Sequence, residues 1–413
     1  MLMVPEIENL RSLTGDGRLL FGTRLVRMFA YGLLSVVLAL YLVEVVGEER
    51  VGAVLTFTLL GDAAISLWIT TIADRIGRRR MLMVGAGLMI LAGLTFALSD
   101  SFIILVLAAV VGTISPSGSE VGPFLSIEQA ALSQVTPDTR RTSIFAWYNL
   151  AGSIATATGA LVGGVLAQGL QAVSLSALDS YRVVLIAYAA LGGLLIALFS
   201  RVSPSVEVTE RTATSLESRF GLHRSQGVVF KLSALFMLDA FAGGMVIQSF
   251  LSLWFHRRYG VEEALLGGIF FGANILAGLS ALAAARMAAR FGLINTMVFT
   301  HIPSNILLIL VPLMPNLPLA IAALLVRFSI SQMDVPTRQS YTMAVVAPDE
   351  RSAAAGITTS VRSVGAALSQ QLTGQLFAAS LLSWPFFLAG GLKIVYDLAL
   401  YRSFRALKPP EET

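Results

Sequence analysis

The chain has 413 residues, of which 55% are hydrophobic and only 13% are charged, with a net charge of +4 and no cysteine. A soluble protein carries roughly 25% charged residues, so this composition cannot cover a globule with polar surface, and a mean hydropathy of +0.77 points to an integral membrane protein. Disulfides and thiolate metal sites are excluded, the three histidines (His223, His256, His301) lack metal-ligand spacing, and the basic balance reflects loop topology rather than nucleic-acid binding.

Residues 1–16 read as a short polar tail on the cytoplasmic side, without the basic n-region of a cleavable signal. Apolar runs long enough to cross a bilayer as helices follow, and the period-2 pattern of an outer-membrane barrel is absent. Six runs occupy residues 19–46, 51–72, 81–98, 102–135, 143–168 and 181–201. The fourth is interrupted by Pro116 and Pro123. Residues 202–227 turn polar and read as a cytoplasmic linker between a first half, 1–201, and a second, 228–413. Six more runs follow at 228–254, 263–289, 294–313, 317–347, 353–381 and 384–404. With both ends inside, the cytoplasmic loops collect Arg75, Arg78 to Arg80, Arg140, Arg141, Arg211, Arg219, Arg224, Arg286, Arg290, Arg351, Arg402, Arg405 and Lys408. The outer loops hold Arg50, Arg182, Arg257 and Arg258. That asymmetry supports the even span count and the orientation.

Between the second and third runs lies Thr70-Thr-Ile-Ala-Asp74-Arg75-Ile-Gly77-Arg78-Arg79-Arg80. Gly77 permits a tight reversal, and Asp74 at a helix end can accept hydrogen bonds from the free N–H groups of another helix start, which makes it a candidate latch. The bland alternative is a plain positive-inside turn. The spacing Asp-Arg-x-Gly-Arg-Arg resembles the signature loop of the major facilitator superfamily of transporters, with Thr70 where that family usually has Gly. The halves also repeat. Ser117-Gly-Ser-Glu120-Val121 with Pro123 recurs as Ser331-Gln-Met-Asp334-Val335 with Pro336, and Pro137-Asp138-Thr139-Arg140 as Pro348-Asp349-Glu350-Arg351. The loop motif returns, without its Asp, as Ala288-Ala289-Arg290-Phe291-Gly292. Parallel repeats of this kind build the two facilitator halves. In the fifth run, Gly159-Ala160-Leu-Val-Gly163-Gly164 resembles the end of a motif associated with exporters of the superfamily, of the drug/proton antiporter type. Physically it is a small-residue stripe for close helix packing. The resemblance implies an all-α membrane protein of twelve transmembrane helices in two pseudo-symmetric six-helix bundles, with helices 1, 4, 7 and 10 lining a watery central cavity.

An ionisable side chain in mid-membrane costs roughly 2.5–3.5 kcal/mol on insertion scales and usually faces a cavity or a partner. Glu120 and Asp334, repeat-related and beside helix breakers, are the foremost candidates for proton coupling, with Asp239 and Glu128. Asp334 and Arg338, four apart, alternatively form a structural pair. Arg24, Arg27 and Tyr31 share one helical stripe and either capture an anionic group or pair with Glu120 or Glu128 across the bundle. Arg338, Arg362, Tyr148, Asn149, Gln248 and Asn274 complete the candidate substrate-binding set. Asp62 is either a gate residue or a partner of Arg362, and Asp74, Arg75, Gly77 and Arg78 form the candidate cytoplasmic gate.

The expected activity is secondary active transport: proton-coupled export of a small organic solute by alternating access in a monomer of a bacterial or archaeal cytoplasmic membrane. The partners are the solute, protons and the lipid bilayer, with no cofactor. Two rivals stand beside it: a transporter of an anionic metabolite using cavity arginines, and a non-transporting receptor or scaffold. No catalytic nucleophile motif, metal cluster or phosphate loop supports an enzyme.

Overall fold

In the computed structural model, the structure describes residues 13–134, 138–207, 224–346 and 350–405. Every regular element among them is helical. Apolar side chains drive this: in hydrocarbon each backbone N–H and C=O must be satisfied within its own segment, and an α-helix does so. In chain order the α-helices are α1 (Gly15–Val46), α2 (Glu48–Ile76), α3 (Arg78–Leu98), α4 (Phe102–Val111), α5 (Phe124–Gln134), α6 (Asp138–Ala172) and α7 (Ala177–Phe199). They continue with α8 (Gln226–Gly244), α9 (Gln248–Tyr259), α10 (Glu263–Phe291), α11 (Leu293–Leu310), α12 (Leu317–Phe328), α13 (Asp334–Val345), α14 (Arg351–Ala378) and α15 (Trp384–Phe404).

Among the described residues, eight helical stretches are long and apolar enough to cross a membrane: 15–46, 48–70, 78–98, 147–172, 177–199, 226–259, 263–291 and 293–313. The expected twelve spans are therefore matched by eight on length and apolarity. Two of the others are interrupted, leaving the short apolar helices α4 and α12. The last two, α14 and α15, have 28 and 21 residues but carry Arg362, Lys393 and Asp397 in their interiors.

The first interruption, residues 112–123, follows from its residues. Pro116 and Pro123 lack N–H donors, and Gly118 and Gly122 adopt φ of 68° and 80°, values that side chains resist. The freed backbone groups find partners from neighbouring helices. Tyr188 donates to the carbonyl of Thr113, Tyr31 to that of Val121 at 3.0 Å, and Asp62 accepts from the N–H of Gly122 at 2.5 Å. The second interruption separates α12 from α13, where Ser280 of α10 accepts from the N–H of Gln332 at 3.3 Å.

The chain forms two compact units. One comprises residues 1–211 with 251–271, the other 212–250 with 272–413. In the first, α1 and α6 pack backbone to backbone. A Cβ on Gly32 would strike the carbonyl of Thr156, one on Gly159 that of Phe29, and one on Gly163 that of Leu33. The small-residue stripe of α6 thus brings two helices together, as its spacing predicts. Gly164 turns the same helix toward the carbonyl of Glu263. Glu263 is buried and accepts from Tyr181 at 2.5 Å and Gln171 at 3.1 Å. In the second unit, Leu232, Phe236, Met297, Val298, Tyr341 and Tyr396 form a buried apolar core.

Candidate functional site: two buried charge clusters

Each unit encloses a cluster of ionised side chains. In the first, α1 presents Arg24 and Arg27 on one face. Arg24 donates to Glu120 at 2.8 Å, to the carbonyl of Tyr148 at 2.9 Å and to Asn149 at 3.3 Å, and its guanidinium lies 4.2 Å from the centroid of the Tyr148 ring. Arg27 pairs with both Glu120 and Glu128 and stands 4.8 Å from the ring centroid of Phe124. Glu128 also accepts from Tyr148 and from Thr23, the latter at 2.8 Å. Two guanidinium groups face two carboxylates, so the cluster is balanced. Its members differ in access: the Glu120 side chain is 16% exposed while those of Glu128 and Arg27 are fully buried. Of the two sequence alternatives for the arginines, pairing across the bundle is the geometry present here. Asp62 sits at the margin, holding Gly122 at the helix break and accepting from Ser66 at 3.3 Å.

In the second unit one carboxylate gathers several cations. Asp239 of α8 receives Arg338 at 3.0 Å, Arg362 at 3.0 Å and Lys393 at 2.6 Å. Asp334, opening α13, takes Arg338 at 2.9 Å, so Pro336 between them does not prevent the pair. Arg362 thus has a carboxylate partner in Asp239, with its own side chain 30% exposed. Gln248 and Asn274 bond to each other at 3.1 Å.

Several participants were not singled out from sequence. Lys393 is one. Asp397, one turn further along α15, accepts from Asn305 at 3.0 Å and bonds His301 at 2.8 Å. The signal for both was present, since each interrupts an apolar run with a charge.

At the α2–α3 turn, Gly77 has φ 119°, which suits only glycine. The side chains of Asp74 and Arg75 lie outside the described residues, so the latch assigned to them does too. The acceptor seen at this helix start is Glu207, which takes the backbone N–H of Arg78 at 2.7 Å and of Arg79 at 3.2 Å. A carboxylate at the start of a helix satisfies free donors and the positive end of the helix dipole. Arg78 reaches the carbonyl of Val206 at 3.1 Å. Nothing in the spacing of the sequence links positions 78 and 207. Glu350 acts alike in the second unit, accepting from the N–H groups of Arg224 at 2.6 Å and Ser225 at 2.8 Å.

Comparison with known proteins adds an independent line. A family model described as the Major Facilitator Superfamily matches residues 20–370. An uncharacterized membrane protein of Saccharomyces cerevisiae is 30% identical over 96% of each chain. A protein of Planococcus maritimus named as a Na(+), Li(+), K(+)/H(+) antiporter is 28% identical over 52% of this chain and 50% of its own. The crystal structure of a D-xylose-proton symporter superposes with a TM-score of 0.74 at 14% identity, covering 94% of this chain and 97% of that one, a likeness of fold.

Proposed function

The chain belongs to the Major Facilitator Superfamily and is a multi-pass membrane transporter rather than an enzyme; from that premise we propose that it exports a small organic solute in exchange for protons, by alternating access. The observation that carries this reading is Glu120. It stands at a helix break, touches both Arg24 and Arg27, and has the most exposed side chain of the clustered carboxylates, 16% against 4% for Asp239 and 7% for Asp334. A proton reaching Glu120 removes one of two carboxylates facing two guanidinium groups. Breaking a buried ion pair by removing one partner is costly, about 3–5 kcal/mol, and that cost biases the unit toward a different arrangement.

Glu128 then holds Arg27 in place, and Asp239 and Asp334 are the further carboxylates of the coupling path. Arg24, Arg27, Tyr31, Tyr148 and Asn149 contact solute from the first half, and Arg338, Arg362, Gln248 and Asn274 from the second. Asp62, Asp74, Arg75, Gly77 and Arg78 gate the cytoplasmic side. Outward direction is supported by the α6 stripe, and exchange for protons by the relative named as an antiporter, which matches over about half of each chain. The transporter works as a monomer with both termini cytoplasmic and its halves, 1–201 and 228–413, joined by residues 202–227. A bacterial or archaeal membrane is not part of this reading, because the full-length relative is from yeast.

The test is solute-dependent proton movement in vesicles containing the purified protein. Protons should enter as solute leaves, and Glu120→Gln should abolish that coupled flux while the protein remains folded in the bilayer. Coupled flux undiminished in Glu120→Gln removes Glu120 from the mechanism, and no proton movement with any solute of a metabolite and drug panel overturns the coupling.

A further inference from the structure

Arg327 ends α12, just before the second helix interruption. It is 8% exposed, and its Nε is buried without a partner. Among the described residues its guanidinium makes no hydrogen bond and no salt bridge. Its aromatic contact is with its own neighbour, the Phe328 ring, 5.0 Å from Cζ. Asp334 attracts it across the interruption, yet Asp334 is bonded to Arg338 at 2.9 Å. Four residues on, Ser331 is 4% exposed and its hydroxyl also lacks a partner. The N–H of Ser331 donates to the carbonyl of Arg327 at 3.0 Å, so helical spacing persists from 327 to 331 and the two side chains leave one face.

The charge balance makes this position distinct. The first unit sets Arg24 and Arg27 against Glu120 and Glu128. In the second, Asp239 answers Arg338, Arg362 and Lys393, and Asp397 faces His301. Arg327 is left over. A guanidinium withdrawn from water without a counter-charge is expensive, and in a membrane span it is retained where a partner arrives. Five fixed N–H donors in a planar fork match two oxygens of one acidic group.

We infer that Arg327 and Ser331 form a subsite for a carboxylate or phosphonate group on the transported solute, with the guanidinium donating to two oxygens and the serine hydroxyl to one. The assignment rests on the transport reading above and adds that the solute is acidic. A free halide is the other source of negative charge, and the test separates the two.

Thermal unfolding of the purified full chain is measured without a proton gradient, in Tris buffer neutralised with nitric acid and free of carboxylates, with benzoate, acetate or methylphosphonate added, and separately with benzamide or chloride. At least one of the organic anions should raise the midpoint in proportion to the logarithm of its concentration, while neutral benzamide does not. Arg327→Gln should weaken that anion roughly ten- to a hundredfold, the range of charge-assisted hydrogen bonds, and Ser331→Ala should weaken it severalfold. Without anion, Arg327→Gln should unfold no earlier than wild type, because it removes an unanswered charge; a guanidinium with a purely structural role predicts the opposite. No shift with any organic anion, a shift with chloride alone, or an undiminished shift in both variants overturns the assignment. Because binding is read without flux, failure of proton coupling in vesicles leaves this result standing, and the converse holds.

Discussion

Arg27 is fully buried between two carboxylates, and its neighbours explain why it is tolerated. Glu120 and Glu128 supply opposite charge, and the face of Phe124 covers the guanidinium. Arg27→Gln therefore strands two carboxylates with only Arg24 left to answer them. The expected loss is about 3–5 kcal/mol, the range for breaking a buried pair from one side. Adding Glu128→Gln should return part of that loss, since it removes a carboxylate left without a cation, with a coupling energy of about 0.5–3 kcal/mol. Unfolding of the two single variants and the double variant in detergent measures the cycle, and strict additivity would show that the pair is not coupled. That arginines were embedded here is evident from sequence, because each interrupts an apolar run. Which carboxylate each one meets is not, because the partners lie about a hundred positions away and Glu120 and Glu128 are chemically alike.

Two runs are broken near the middle, 102–135, where Pro116 and Pro123 already mark the interruption, and 317–347, which reads as continuous; the repeat places Glu120 and Asp334 at the breaks. Pro and Gly make the first break legible. The second, between Phe328 and Asp334, has only Pro336 to announce it, and Pro336 lies inside α13, where proline is compatible with the first turn of a helix. The clusters around the breaks share a carboxylate, Glu120 in one and Asp334 in the other, but not the rest of their charged set. Arg362 lies as far after Tyr148 as Asp334 lies after Glu120, so a cation occupies in the second half the place a phenol holds in the first. Helix packing is sharper still. Gly159 of α6 meets backbone of α1, whereas Gly169 of the same helix has open space around its Cβ position. Gly159→Ala should push α1 from α6 and lower the unfolding midpoint by several degrees. Gly169→Ala should leave it unchanged or raise it, by up to about 1 kcal/mol of helix propensity. Equal effects would mean that the stripe does not set the α1–α6 distance.

For the whole molecule, orientation is the property that sequence charge addresses and packing does not. The 23 residues of α7 extend about 34 Å at the rise of an α-helix, enough to cross the hydrocarbon core. Ala177 begins α7 and Ser205 follows its end, and both are exposed. Since the chain has no cysteine, Ala177→Cys and Ser205→Cys each supply a single thiol. In intact cells an impermeant maleimide should label Ala177→Cys, and should label Ser205→Cys only after the membrane is opened. The reverse pattern would invert the topology drawn from the arginines.

Hydropathy, the missing N–H of proline and the conformational freedom of glycine are properties of the residue and its near neighbours. From them the sequence by itself determined a helical membrane protein built as a repeat, the break before Phe124, and most of the interior charges; transport entered only through the resemblance of its loop motif to a known family. Ion pairing is a property of distance between residues far apart in the chain, and in a low-dielectric interior that distance decides whether a charge is stabilised or stranded. So only the tertiary structure decided that Arg27 is shared by two glutamates, that Glu207 caps α3, that Asp239 gathers three cations, and that Arg327 is left without a counter-charge of its own among the described residues.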